Sequence, residues 1–332
     1  MVAPIWLGGE DLNFVVLGSA TITTTTSRYR SDYARCALEV GQGTVDAYST
    51  PFPAGPVTAC WFMSRFIRIS SGGAFPMYGL GRSGTTEGVG IGLNANRCVI
   101  FKRDGTTDTT LATSVSTVFN GTRQKVDIEV INFSNPATGR VRVYVDQVLA
   151  VEYTGNLSAG SITDLDQVCC WYTTNGGGSQ GYISELAVAD DDTRLLSLKT
   201  VVPSAAGTAN TFASGTYADI DGVTIDDATN MAADTVGQHA EVACTGMPAG
   251  DFSVKGFGVS ARVSATVGGP QALALGIRTT DGAGTIDLGA PVTQTTAWAT
   301  MDTLYATNPN DAPNEFTSAI IEAIELAFEA AA

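Results

Sequence analysis

"KVDIEVINFSNPATGRVRVYVDQVLAVEYTG", residues 125–155, is the stretch that decides the fold. Val126, Ile128 and Val130 alternate with Asp127 and Glu129, and a loop holding Asn135-Pro136 and Gly139 follows. Val141, Val143 and Val145 then alternate with Arg142, Tyr144 and Asp146. A two-residue turn near Asp146-Gln147 reverses the chain, and Leu149, Val151 and Tyr153 alternate with Ala150 and Glu152. Successive side chains of a strand point to opposite faces, so a period of two gives each strand one apolar and one polar face. The three runs predict an antiparallel strand and a hairpin whose valines seal against a second layer. On this reading Asp127 and Glu129 form part of a solvent-facing row of charges.

The same pattern extends in both directions. "PVTACWFMSRFIRIS" (56–70) predicts a long strand carrying Trp61, Phe62 and Phe66, and "VGIGLNANRCVIFKRDG" (89–105) two short strands around Asn94-Ala95-Asn96. "YISELAVADDDTR" (182–194) continues the alternation through Leu186 and Val188 until Asp190-Asp191-Asp192 ends it. The small polar run "TVVPSAAGTANTFASGTYADIDG" (200–222) reads as a passage into a second domain. Beyond it, "SVKGFGVSARVSA" alternates Phe257, Val259, Ala261 and Val263, and "QALALGIRT" alternates Leu273, Leu275 and Ile277. Gly268-Gly269-Pro270 between them reads as a hairpin turn. The end, "NEFTSAIIEAIELAFEAAA", predicts a helical turn capped by Thr317 and then a strand from about Ile324 to Phe328. The expected class is all-β, with two β-sandwich domains at 1–197 and 198–332; 332 residues also exceed the usual single domain.

Composition narrows the function. Thirty-three acidic against 18 basic residues give a net charge of −15, which lacks the basic footprint that nucleic acid requires, so no nucleic-acid partner is expected. Arg28-Tyr29-Arg30 reads as a solvated loop. No apolar run reaches the roughly 20 residues of a membrane span, and "MVAPIWLGGED" does not read as a signal peptide, so a protein made in a cytoplasm is expected. The six cysteines, at 36, 60, 98, 169, 170 and 244, form no CxxC pair, and His239 stands as the only histidine. Buried free thiols are the expectation, with a Cys60–Cys98 disulfide left open; of Cys169 and Cys170, one should face the core and the other outward.

Two strings imitate catalytic motifs. Gly79-x-Gly81-x-x-Gly84 matches a dinucleotide fingerprint, but "TTEGVGIGLN" follows it where a helix is needed. Gly177-x-Ser179-x-Gly181 matches a nucleophile elbow, with Asp219 or Asp221 and His239 following in hydrolase order, yet "GYISELAV" is strand-like where a helix is needed. Asp127 and Glu129, about 7 Å apart on one strand face, fit the carboxylate spacing of glycoside hydrolysis. Asp190, Asp191 and Asp192, or Asp219 and Asp221, could offer oxygen ligands to calcium, and a metal site stays open. Tyr48, Tyr172 and Tyr217 are candidates for stacking on sugar rings. No catalytic residue and no cofactor is assigned.

Four stretches carry a family resemblance. "IWLGGEDLNF" (5–14) looks like the opening of a class of tailed-bacteriophage virion proteins. Residues 125–155 resemble the central hairpins of the laminin-G-like, or concanavalin-A-like, jelly roll, with Gln147 where glycine is usual. "YISELAVADDDT" is similar to the last strand of that jelly roll, and "TRLLSLKTVVPSAAG" to the connector that follows it. "WATMDTLYATNPNDAPNEFTSAIIEAIELAFE" resembles the C-terminal module of these proteins, with Asn308-Pro309 kept and Phe316-Thr317 in a Trp-Thr place. The resemblance implies a non-enzymatic virion structural protein made in the bacterial host cytoplasm and displayed as a tail fibre or tip, or as a head spike or decoration. Its implied partners are other virion proteins, further copies of itself (a trimer among the options) and host-surface glycans. The alternative is a polysaccharide depolymerase of the same sandwich class, with Asp127 and Glu129 the first pair to test.

Overall fold

In the computed structural model the described residues are 2–8, 13–16, 22–42, 47–70, 75–105, 107–158, 160–173, 180–223, 226–245, 253–279, 284–310 and 314–332. The fold is all-β, and the chain divides into two compact units, Pro4–Leu198 and Lys199–Ala332. No helix among the described residues is long and apolar enough to cross a membrane.

The first unit is a jelly-roll-like sandwich of a nine-stranded and a seven-stranded sheet. The larger sheet runs Val148–Thr154, Arg140–Val145, Arg123–Ile131, Cys60–Ser70, Gln180–Ala189, Ala37–Gln42 and Tyr172–Thr173, with Pro4–Gly8 and Ile22–Thr23 added beside it. The smaller runs Thr107–Thr113, Arg97–Asp104, Gly88–Asn94, Phe75–Gly81, Gln167–Cys170, Ala47–Ser49 and Phe14–Val16. Val126, Ile128, Val130, Val141 and Val143 of one sheet and Val89, Ile91, Leu93, Ile100 and Val168 of the other share one core, closed by Trp6, Phe62, Phe66 and Phe119. Residues on the opposite strand faces are kept out of that core by the pleat alone.

The opening hairpin forms as expected, with two refinements. Asp146 and Gln147 both take positive φ, 48° and 71°, the backbone of a tight turn that suits the strand twist even without glycine. The Asp146 carboxylate accepts from the Lys125 amide at 2.9 Å, which holds the turn down on the neighbouring strand. The pairing slips between Val143 and Tyr144, so Val143 faces Val151 but Tyr144 faces Leu149. That bulge turns Leu149 outward, 46% exposed, whereas simple alternation placed it in the core.

The motif-like strings resolve by topology. Gly79 and Gly81 end one strand, Gly84 occupies a turn with φ +77°, and the next element is the Gly88–Asn94 strand. Gly177 and Ser179 lie outside the described residues, while Gly181 sits within the Gln180–Ala189 strand. All six cysteines are free and buried. Cys170 joins the core and Cys169 points to the other sheet face, but that face is covered too, by packing with Tyr48 and Trp171. Burial pushes the Cys60 thiol up to about 12, so it stays protonated and inert at neutral pH.

The second unit packs a six-stranded sheet, in the order Val202–Asn210, His239–Thr245, Glu325–Ala331, Ala272–Arg278 and Ile286–Leu288 with Val292–Thr293 alongside, against two two-stranded sheets. Those are Phe257–Val263 with Ala299–Tyr305, and Ser253–Val254 with Phe316–Thr317. Its core holds Val242, Val259, Val263, Leu275, Ile277, Phe316, Leu326 and Phe328. The expected hairpin at Gly268-Gly269-Pro270 is corrected: Phe257–Val263 pairs with Ala299–Tyr305, and Ala272–Arg278 with Glu325–Ala331. The two strands carry apolar rows that face each other across the core, so the glycine turn bridges layers instead of closing a ladder. The small polar run also contains a strand, Val202–Asn210, because an edge position asks for backbone pairing on one side and little side-chain burial. At the end of the chain Thr317 caps the helix Ser318–Glu322 by accepting from the Ile320 amide, and Glu325–Ala331 follows as a strand.

Glycine at the second turn position should relieve the left-handed cost borne by Gln147. Gln147→Gly is expected to raise the stability of the protein by about 1 kcal/mol, read as a higher urea midpoint at unchanged slope. An unchanged or lower midpoint would show that the turn carries no such strain.

Candidate functional site

The outward face of the nine-stranded sheet carries a cluster of charged residues. Cross-strand pairing sets them in rows: Trp61, Glu129, Arg142 and Glu152 in one; Met63, Asp127, Tyr144 and Leu149 in the next; Arg65 and Lys125 in the third. This is the row expected to face solvent, and it does not. Asp127 is fully buried, Lys125 is 5% exposed and Glu129 is 8% exposed. For Asp127 and Lys125 the cause is the segment 190–198, which leaves the Gln180–Ala189 strand and lies as a strap across them; Glu129 is paired with Arg142.

The strap is fixed by side chains on both partners. Lys125 donates to the carbonyls of Thr193 and Leu196, the latter at 2.6 Å, and its ammonium lies 3.5 Å from Asp127. The Thr193 hydroxyl donates to Asp127 Oδ1 at 2.7 Å. Arg194 stands over the Tyr144 and Trp61 rings at 4.6 and 5.5 Å, and those rings stack at 5.6 Å between centroids. The Arg194 guanidinium donates to both oxygens of Asp192. Burial raises the Asp127 carboxyl against the opposing pull of Lys125 and Thr193, and burial likewise lowers Lys125 despite Asp127. Both ions therefore bear a desolvation cost that their contacts offset only in part. Asp127 Oδ2 has no hydrogen-bond partner.

A second ionic centre lies beside the first. The Gln180–Ala189 strand bulges at Glu185, which takes φ +54° and is buried. Its carboxylate is gripped by both arms of Arg30, one at 2.8 Å, with Arg65 Nε at 3.8 Å. Arg28-Tyr29-Arg30 is thus not a solvated loop. Tyr29 is buried, its hydroxyl donates to the Thr24 carbonyl, and Arg28 lies over the Tyr182 ring at 5.1 Å. A buried glutamate needs a counterion, and this loop delivers it. Next to both centres a half-open cleft of about 200 Å³ is lined by Arg65, Lys125, Gln147, Arg194, Leu195 and Ser197, among others.

The remaining sequence candidates do not converge on a site. Tyr48 is buried beside Cys169 and Trp171, and Tyr217 packs against the core of the second unit. The Tyr172 side chain lies outside the described residues. Asp219 closes a turn by accepting from the Thr216 amide, and Asp192 is committed to Arg194. Among the described residues no three His, Cys, Asp or Glu side chains are grouped to hold a metal ion. His239 Nε2 meets Glu241 at 2.9 Å. Glu241 is buried, and Arg278 bridges it with two hydrogen bonds of 2.8 and 2.7 Å. Burial alone would raise this carboxyl; hydrogen bonds with Arg278, Glu325 and His239 outweigh it and hold the group below its ordinary value.

No family model matches the chain, and no curated protein matches it in sequence. Among solved structures it is similar to a carbohydrate binding module from Bacillus subtilis, at 9% identity and TM-score 0.36 over 53% of this chain and 94% of that one. It is similar to an endo-β-1,4-glucuronan lyase from the fungus Trichoderma reesei, at 12% identity and TM-score 0.38 over 57% and 95%. It is also similar to a conserved carbohydrate esterase from the Shiga toxin-encoding bacteriophage phi24B, at 11% identity and TM-score 0.37 over 58% and 100%. The likeness is one of β-sandwich fold and supplies no residue of the site.

Two outcomes follow from these clusters. Lys125→Met should destabilise the protein by about 3 kcal/mol in denaturant titration, because it strands a buried Asp127 and frees two strap carbonyls; a loss within experimental error would show that the strap is not held there. Glu241 has a depressed folded value, so its stabilising contribution is present above the ordinary carboxylate value of about 4.3 and is lost as pH falls through the folded one. The proton resonances of His239, the only histidine, should therefore report acid unfolding of its surroundings below about pH 4. In Glu241→Gln that acid dependence should flatten, and an unaltered acid transition would remove Glu241 as its source.

Proposed function

We propose that this chain is a non-enzymatic structural protein of a bacteriophage particle, displayed on its surface as a tail fibre or tip, or as a head spike or decoration, where it contacts host-surface glycans. One observation carries the non-enzymatic part. Asp127 and Glu129, the carboxylates spaced for glycoside hydrolysis, are structural: Asp127 is sealed beneath the strap and Glu129 pairs with Arg142 at 3.4 Å. A general acid must reach the leaving group of its substrate, and a carboxyl with no exposed surface cannot. The virion part is supported by the sequence resemblance, whose hairpin, closing-strand and connector stretches make up one sheet edge, the bulged strand and the strap. Carbohydrate binding and carbohydrate-acting sandwiches among the similar structures are in keeping with a glycan partner. Assembly as a homo-oligomer would multiply weak individual contacts.

The test pairs two measurements. Labelled antibody and electron microscopy on intact particles should place the protein on the particle surface, and the purified chain should be retained by host envelope glycans while releasing no reducing ends from them. Absence from particles would end the virion reading. Release of reducing ends or unsaturated sugars would establish the depolymerase instead.

A further inference from the structure

The cleft beside the strap has a composition that the sandwich does not need. Its lining carries Arg65, Lys125 and Arg194 against one carboxylate, Asp146, whose oxygens accept from the Lys125 amide and the Gln124 side chain, in a chain whose net charge is −15. Two of these cations are committed: Lys125 to the strap carbonyls and Asp127, and Arg194 to Asp192. Arg65 differs. Its nearest acid, Glu185, lies 3.8 Å away and has both oxygens engaged by Arg30, and Arg65 makes no hydrogen bond among the described residues. Its side chain is 22% exposed, so the planar fork of donors is withdrawn from bulk water yet open to the cleft. Burial and the neighbouring Arg30 disfavour its charge and outweigh the opposing pull of Glu185, Asp146 and Asp127. This guanidinium is held next to another cation, its nearest acid at 3.8 Å is already gripped by Arg30, and its donors are left for an anion entering the cleft.

The rest of the lining tells what carries that anion. Gln147 and Ser197, an amide and a hydroxyl side chain, also line the cleft, the chemistry that meets sugar hydroxyls, with the Ser197 hydroxyl accepting from Arg30 at 3.3 Å. Leu195 is 84% exposed on the same lining, an apolar surface for the C–H face of a ring. The cleft's size suits a single sugar unit, well short of a long-chain ligand.

We propose that this cleft binds one acidic sugar residue, with the Arg65 fork taking its carboxylate and Leu195 lying against its ring. The proposal rests on the glycan-contact reading above and names the glycan class. Guanidinium and carboxylate match in planar, two-point geometry, which a lysine at the same place cannot reproduce.

The probes are glucuronate, glucose and inorganic phosphate, titrated into the full-length protein while the Arg65 Nε–H resonance and the heat of binding are followed. Glucuronate should bind and shift the Arg65 signal; glucose should not bind, and phosphate should bind more weakly than glucuronate. Arg65→Gln should weaken glucuronate by roughly tenfold or more, while Arg65→Lys restores only part of it. Leu195→Ser, at an exposed position that leaves the fold alone, should weaken glucuronate and leave phosphate unchanged. Equal binding of glucose, or phosphate binding as tight as glucuronate, would overturn the acidic-sugar assignment. Unchanged glucuronate affinity in Arg65→Gln would overturn the role of Arg65; its unfolding midpoint, expected near that of the unsubstituted chain because Arg30 still neutralises Glu185, guards against misfolding. Glucuronate binding by a protein absent from particles would sink the virion reading and leave this one standing.

Discussion

Everything in the first unit depends on how one strand, Arg123–Ile131, satisfies two opposed demands. One row, Val126, Ile128 and Val130, is drawn into the core by the free energy of removing apolar surface from water. The pleat then forces Lys125, Asp127 and Glu129 onto the opposite face, where the strap covers the first two and Arg142 pairs with the third. A central strand covered on both sides normally carries apolar residues on both. This one carries ions, so the covering segment must supply partners: Thr193 to Asp127, and two carbonyls to Lys125. The strap's path is set by this requirement more than by apolar contact.

The same logic runs through the Glu185 bulge and the Glu241 cluster. In each, a buried carboxylate sits between strands and an arginine closes on it with two donors. Such pairs add little net stability over apolar residues of equal volume, but breaking one is costly. They specify pairing: Glu185 fixes where its strand bulges and which loop lies beside it, and Glu241 fixes which residues of its sheet become neighbours.

Much of the fold was legible in the sequence because period-two alternation is a local property. The three strands of residues 125–155, the turn at Asp146-Gln147 and the Thr317 cap could all be read from neighbours a few positions apart. What escaped was set over long distances. Alternation told that Asp127 and Glu129 leave the core, but not that residues 193–196, nearly seventy positions later, would return to cover Asp127 and Lys125. Gly268-Gly269-Pro270 has the residues of a hairpin turn, and only the pairing of its flanking strands with partners elsewhere makes it a bridge between layers. Leu149 was misplaced by one inserted residue that no local pattern marks. The candidate cleft was illegible for the same reason, since Arg65, Gln147 and Leu195 come from three separate segments. A signal did exist: in "SRFIR" Arg65 alternates with the core residue Phe66 and so falls on the outward face.

The strap has a mechanical meaning as well. Residues 190–198 follow directly on the Gln180–Ala189 strand and lead to the second unit. Tension arriving along the chain from residue 199 meets the Arg30–Ser197 hydrogen bond and then the Lys125 anchors before it reaches the strand ladder. Such a load would fall first on side chains rooted in other segments, Arg30 and Lys125, before the Gln180–Ala189 strand could be peeled from its neighbours.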